Sequence, residues 1–267
     1  MMTELVPGTY TGACILKRAE GDVKASIVFT TLPVLCDFQM AQDILHHEEM
    51  AYFQTLKFEK RRNSYLIGRY AAKQALAAFS KEKDLGKIII QWGILNQPIV
   101  SYLYNNNIQV SITHCNEIGA AVAFPETHPM GIDIEKVNSD SRNVLENQIT
   151  QREKELIRNS SCSYDRMLTV FWTVKEALSK TLKTGLTTPL SIFELSRIEL
   201  NHDHAISFFE NFGQYKAISF NLSSFVCSLV YPKNAEIEID IEAIQSVFDP
   251  ASGARLQQKM TALNSCL

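Results

Sequence analysis

The residues Gly131-Ile132-Asp133-Ile134-Glu135 alternate apolar and acidic side chains, and no other stretch constrains this chain as tightly. In an extended strand successive side chains point to opposite faces, so Asp133 and Glu135 share one face while Ile132 and Ile134 pack behind them. Two carboxylates side by side suit a hard divalent cation such as Mg2+, which takes one or two carboxylates together with substrate phosphate oxygens. Glu176, inside Phe171-Trp172-Thr173-Val174-Lys175-Glu176-Ala177-Leu178-Ser179-Lys180, is a candidate third ligand. The same Asp-Ile-Glu spelling returns within Glu236-Ile237-Glu238-Ile239-Asp240-Ile241-Glu242, but nothing basic and helical follows it, so that segment reads as a strand with one charged face.

With 267 residues and 46% hydrophobic content the chain can bury a large core, as one domain or as two of about 130 residues. A formal charge of -3 gives no general attraction to nucleic acid. No apolar run reaches the roughly 20 residues of a membrane helix, and Met1 to Gly8 lacks the basic start and apolar core of a signal peptide. The six cysteines are scattered, without a C-x-x-C pair, which argues against a zinc or redox motif and for reduced thiols in a cytoplasmic protein.

Along the chain, Ala25 to Phe29 reads as a strand ended by Pro33, and Asp43 to Phe79 as one or two helices. The basic residues of that region include Lys57, Lys60, Arg61, Arg62, Arg69 and Lys73. Arg62, Arg69 and Lys73 fall on one helix face and can converge on a phosphate. Lys87 to Trp92 and Gln109 to Thr113 read as strands, with a turn at Asn105-Asn106-Asn107 and His114 directly after the second. Glu117 to Phe124 is small and apolar, as a central strand would be, and Pro125 and Pro129 mark a boundary between halves 1–128 and 129–267. Beyond it, Thr150-Gln151-Arg152-Glu153 is a capping box opening a helix to Arg158, and Asp165 to Lys183 is a second helix. Phe193 to Leu200 and Ala217 to Phe220 read as strands around the Asn201-His202-Asp203-His204 turn, Phe225 to Tyr231 as a buried strand, and the residues from Ala251 as a polar tail. Tyr70-Ala71-Ala72-Lys73-Gln74-Ala75-Leu76 can be laid over Trp172-Thr173-Val174-Lys175-Glu176-Ala177-Leu178, with lysine, alanine and leucine matching, as a duplicated α+β unit would give.

Together, Gly131-Ile132-Asp133-Ile134-Glu135 and Trp172-Thr173-Val174-Lys175-Glu176-Ala177-Leu178-Ser179-Lys180 resemble the G-x-D-x-E and W-[ST]-x-K-E-[AS]-x-x-K motifs of the Sfp-type 4'-phosphopantetheinyl transferases. The resemblance implies an α+β fold, a pseudo-twofold pair of similar α+β halves with coenzyme A and Mg2+ at their junction. It implies Asp133, Glu135 and Glu176 as metal ligands, and Glu176 and Lys180 as catalytic groups. Coenzyme A would be held by Arg62, Arg69, His114, Lys175 and Lys180. The implied reaction is attack by a serine of an apo acyl or peptidyl carrier protein on the β-phosphate of coenzyme A, by a monomeric enzyme with no nucleic-acid or membrane partner.

The chain departs from the family at Gln97-Pro98, where a basic residue usually precedes the proline, at Thr113 for the usual serine, and at Cys115-Asn116 after the histidine. Loss of one charge-assisted bond costs about 1.5–3 kcal/mol. Those departures keep open a noncatalytic carrier-protein or coenzyme A binding role for the same fold. An unrelated Mg2+ nuclease fits least, because the charge is negative and no basic, base-stacking groove is evident.

Overall fold

Alternating apolar residues build two antiparallel sheets of five strands each. The computed structural model describes residues 8–31, 38–101, 107–160 and 162–248. In the first half β1 (Gly8–Lys17) and β2 (Val23–Thr31) lead into helices α1 (Phe38–Ile44), α2 (His47–Thr55) and α3 (Glu59–Ser80). The hairpin β3 (Ile89–Trp92) and β4 (Pro98–Ser101) follows, then β5 (Ile108–Cys115) and β6 (Ile118–Pro125). The second half runs β7 (Gly131–Lys136), α4 (Arg142–Glu146), α5 (Gln151–Arg158), α6 (Tyr164–Thr181), β8 (Leu195–Leu200), β9 (His204–Phe209), β10 (Tyr215–Leu222) and β11 (Phe225–Pro232). Strand β12 (Glu236–Glu238) and helix α7 (Ile241–Phe248) close the described chain.

The sheet orders are β12-β1-β2-β6-β5 and β7-β11-β10-β9-β8. One face of each sheet feeds a shared core, in which Ile27, Phe29, Ala120 and Val122 meet Ile132, Ile134, Phe220 and Leu229. Helix α3 covers the outer face of the first sheet by packing Ala71, Ala72 and Ala75 against Val28, Ala121 and Ala123. Helix α6 covers the second, with Phe171, Val174 and Ala177 against Val226 and Val230. Strand β6 is therefore buried on both faces, which explains its unbroken apolar run.

One unit occurs twice: a strand, a long helix, and a hairpin whose second strand returns beside the first. It is β2-α3-β5-β6 in the first half and β7-α6-β10-β11 in the second. The echo in the sequence marks its most buried feature. Lys175 of α6, at 0% exposure, donates from Nζ to Glu153 Oε2 at 2.6 Å and to Gln148 O at 3.1 Å. Lys73 of α3, also at 0%, donates to Glu49 Oε2 at 2.5 Å and to Ile44 O at 2.8 Å. Each glutamate closes a capping box, Glu49 with His46 and Glu153 with Thr150. Each also accepts from a strand amide, Glu49 Oε1 from Ile90 and Glu153 Oε1 from Leu195. One buried pair thus ties long helix, short helix and strand together in each half.

Several expectations change. The helical region is three helices, because Leu45-His46 and Leu56 to Phe58 break it. His204 opens strand β9, with Ala205, Ser207 and Phe209 pointing inward. Within Glu236 to Glu242 only Glu236–Glu238 is strand; it pairs with β1, so a segment from beyond residue 129 completes the first sheet. Pro33, Asn105-Asn106 and the tail from Ala251 lie outside the described residues.

Removing one partner of a buried ion pair strands the other charge, at a cost of about 3–5 kcal/mol. Glu153→Ala is expected to lose that much in urea denaturation, whereas Glu210→Ala, which breaks only the exposed pair with Arg152, loses less than about 1 kcal/mol.

Candidate functional site where the two sheets meet

The two sheets adjoin at their edges, β5 beside β7. Side-chain hydroxyls bridge them: Ser111 Oγ accepts from Ile132 N at 3.1 Å and Thr113 Oγ1 accepts from Ile134 N at 3.2 Å. Thr113 Oγ1 then donates to Asp133 Oδ1 at 2.9 Å. Helix α6 lies against the same strand. A Cβ on residue 131 would fall 2.1 Å from the Ala177 carbonyl oxygen, so glycine alone permits this approach.

Trp172, Glu176 and Lys180 follow one another at four-residue spacing and share the α6 face turned to β7. Trp172 lies by the Glu135 carboxylate and opposes the rise of its pKa. Lys180 Nζ donates to Asp133 Oδ1 at 2.7 Å and to Ile132 O at 3.1 Å. Asp133 Oδ2 and Glu176 Oε1 are buried with no hydrogen-bond partner. A buried carboxylate oxygen left unpaired is costly, and two beside a third carboxylate make a donor set that suits a hard divalent cation.

The electrostatics agree. Burial, then the charges of Asp133 and Glu135, push the Glu176 carboxyl up to about 7 against the opposing pull of Lys180. Glu135 is raised too, by burial and then by Asp133. Cys115, whose Sγ donates to Glu135 Oε2 at 3.5 Å, has its thiol pushed up to about 12 by burial and by Glu135.

His114, next along β5, lines a cavity with Arg61, Tyr65, Gly68, Arg69 and Trp92. Its ring opens to solvent, yet the surrounding wall lowers its pKa, and Lys180 and Arg61 add to that against Asp133. His114 thus stands between the cavity, which Arg61 also lines, and the pair Lys180 and Asp133, whose charges reach its ring.

Not every expected residue arrives there. Lys175 and Lys73, one read as a coenzyme A contact and the other as part of a phosphate-binding face, are buried on Glu153 and Glu49 instead. Arg62 stacks on Phe53 at 4.8 Å, while its neighbour Arg61 faces the cavity. Arg69 reaches the cavity wall with its guanidinium already engaged, at 3.2 Å from Glu49 Oε1, on Ile90 O, and 4.6 Å over the Trp92 ring. Gln97 spends its Oε1 on Leu95 N, closing the β3–β4 loop. Sequence reasoning placed Arg61 in the basic cluster but not among the phosphate contacts, and it missed His46, His47 and Glu48, whose ligand atoms lie within 4.8 Å of one another at the start of α2. There His46 Nδ1 is already used to cap Glu48 N.

Residues 129–230, which hold both motifs, match the model of the 4'-phosphopantetheinyl transferase superfamily. The chain is 28% identical over 172 residues to enterobactin synthase component D of Escherichia coli (strain K12), covering 64% of this chain and 77% of that protein. A holo-ACP-synthase structure from Plasmodium yoelii aligns over 44% of this chain and 96% of its own, at 18% identity and a TM-score of 0.31. Among the described residues no helix is long and apolar enough to cross a membrane.

A carboxyl whose pKa is raised by folding stabilises the fold while protonated. That contribution is full below the ordinary value of 4.5 and is lost as pH rises through about 7. A divalent cation held by these carboxylates would offset the loss. Mg2+ added to EDTA-treated protein is therefore expected to raise Tm more at about pH 8 than at about pH 5.5, measured by scanning calorimetry. Equal increments at both would contradict this electrostatic picture.

Proposed function

We propose that this protein transfers the 4'-phosphopantetheine group of coenzyme A to a serine of an apo acyl or peptidyl carrier protein, releasing 3',5'-ADP. The observation that carries the reading is the pair of buried, unpartnered oxygens, Asp133 Oδ2 and Glu176 Oε1, on the two segments that bear the motifs. The superfamily match over residues 129–230 supports it.

In this reading Asp133, Glu135 and Glu176 hold Mg2+. When bound, the ion neutralises and orients the diphosphate of coenzyme A. The remaining work falls to the chain. Arg61 and His114 take phosphate oxygens in the cavity, and Arg69 braces Trp92 as its wall. Lys180, held within reach of Asp133, stabilises charge on the departing phosphate. Glu176 accepts the proton of the serine hydroxyl, directly or through one water, as the oxygen attacks the β-phosphorus and the bond to 3',5'-ADP breaks. The scattered cysteines, unpaired among the described residues, support a cytoplasmic setting.

Intact-mass spectrometry of apo acyl and peptidyl carrier proteins incubated with the protein, coenzyme A and Mg2+ tests the reading. A gain of one phosphopantetheine that EDTA abolishes is expected, and Glu176→Gln is expected to lower turnover by about 10²- to 10⁴-fold. Coenzyme A binding without any mass gain would leave a binding protein. Calorimetric titration separates the two neighbouring arginines. Arg61→Ala is expected to weaken coenzyme A binding by about tenfold to a hundredfold, and Arg62→Ala by less than about threefold.

A further inference from the structure

Helix α3 opens with a residue that serves the fold poorly. Phe58 stands at the N-cap, where its side chain makes no capping hydrogen bond, and is 77% exposed. Serine, threonine, aspartate and asparagine are favoured there because a side-chain oxygen satisfies a free backbone N–H, which phenylalanine cannot do. Only its carbonyl serves the helix, accepting from Arg61 N and Arg62 N at 3.0 Å. One exposed apolar side chain is ordinary. One that displaces a better cap, at the edge of a site, points to a contact outside the chain.

The surroundings set the chemistry of that contact. Leu56 and Arg61, on either side of Phe58, both line the cavity, together with the exposed rings of Tyr52 and Trp92. Lys57, Lys60 and Arg61 are exposed, and among the described residues none of them pairs with a carboxylate. Arg142, Arg152 and Arg197 on other faces each hold one. An aromatic anchor among unpaired cations complements an acidic surface with an apolar spot. It falls short of a membrane site, since clusters that hold anionic lipid carry about four to eight cations.

We propose that Phe58, Lys57 and Lys60, with the rings of Tyr52 and Trp92, form the docking surface for the carrier protein, which meets it through an acidic face with an apolar spot. The proposal rests on the transfer reaction given above, in which the carrier is the one macromolecular substrate. His114 stands between this cavity and Asp133, so a carrier seated on the rim is next to both the coenzyme and the carboxylates that its serine must reach. The fold gives up a helix cap there, and the partner gains an anchor.

The test is steady-state kinetics of the full chain with apo acyl or peptidyl carrier protein as the varied substrate, at saturating coenzyme A and Mg2+, alongside fluorescence anisotropy of labelled apo carrier without coenzyme A. Phe58→Ser is expected to raise Tm by about 1–4 °C, since serine caps the helix, yet to raise the carrier KM and Kd by about tenfold. The double variant Lys57→Ala, Lys60→Ala is expected to raise both by about threefold to tenfold at low salt, a difference that shrinks as salt is added. Coenzyme A affinity, read by calorimetric titration, is expected to change by less than about threefold in either. Unchanged carrier KM and Kd in both variants overturn the proposal. So does a loss of coenzyme A affinity in place of the carrier effect, or wild-type binding to anionic lipid vesicles that both variants lose while the carrier KM holds. Failure of the functional reading looks different: the wild type binds a carrier through these residues, yet no carrier gains phosphopantetheine. A wild type that neither modifies nor binds any carrier overturns both.

Discussion

The hydroxyl of Thr113 is the interaction on which the rest of the site depends. It accepts from the Ile134 amide and donates to Asp133, so one group both fastens the edge of the second sheet to the first and orients a buried carboxylate of the site. Ser111 repeats the fastening one pleat away. Edge strands meeting through a backbone ladder would leave no room between them for side-chain chemistry. Meeting through hydroxyls leaves the two edges joined with an acidic row on one and Thr113, His114 and Cys115 on the other. Threonine in place of serine keeps this hydroxyl, so that departure from the family pattern leaves the contact intact.

The repeated unit explains why helix positions one residue apart do such different work. Lys73 and Lys175 are matched in the two halves because each neutralises a capping-box glutamate in the interior of its own half. Their neighbours diverge. Gln74 and Ala78 in α3 stand where α6 has Glu176 and Lys180. The anionic centre is thereby confined to the second copy, while the first supplies Arg61 and the cavity wall beside it. Under the proposed function, cation chemistry and anion recognition come from different copies of one unit and meet at the seam.

The two motifs, the strand face carrying Asp133 and Glu135, and the capping box at Thr150 were legible in the sequence because each depends on spacing within one element. What depends on partners far along the chain was not. Lys175 looks like a phosphate ligand beside Glu176, but adjacent helical residues point about 100° apart, and Glu153, outside the motif, decides which way Lys175 is buried. Arg61 and Arg62 are equivalent in a basic cluster until the burial of Leu66 and Ile67 fixes the rotation of α3. Strand β9 was hidden because His204 belongs to a polar turn by composition and to the strand by pairing with Phe220. The contact of Cys115 with Glu135 has no local signal at all, since it exists only across the seam.

Diffraction from crystals grown with coenzyme A and Mn2+ tests the central claim most directly, because anomalous scattering locates the ion independently of the protein model. The account predicts a single strong peak between Asp133, Glu135 and Glu176, in contact with the coenzyme A diphosphate, with the 3'-phosphate near Arg61 and His114. A peak confined to His46, His47 and Glu48, or coenzyme A bound away from the seam, would contradict it.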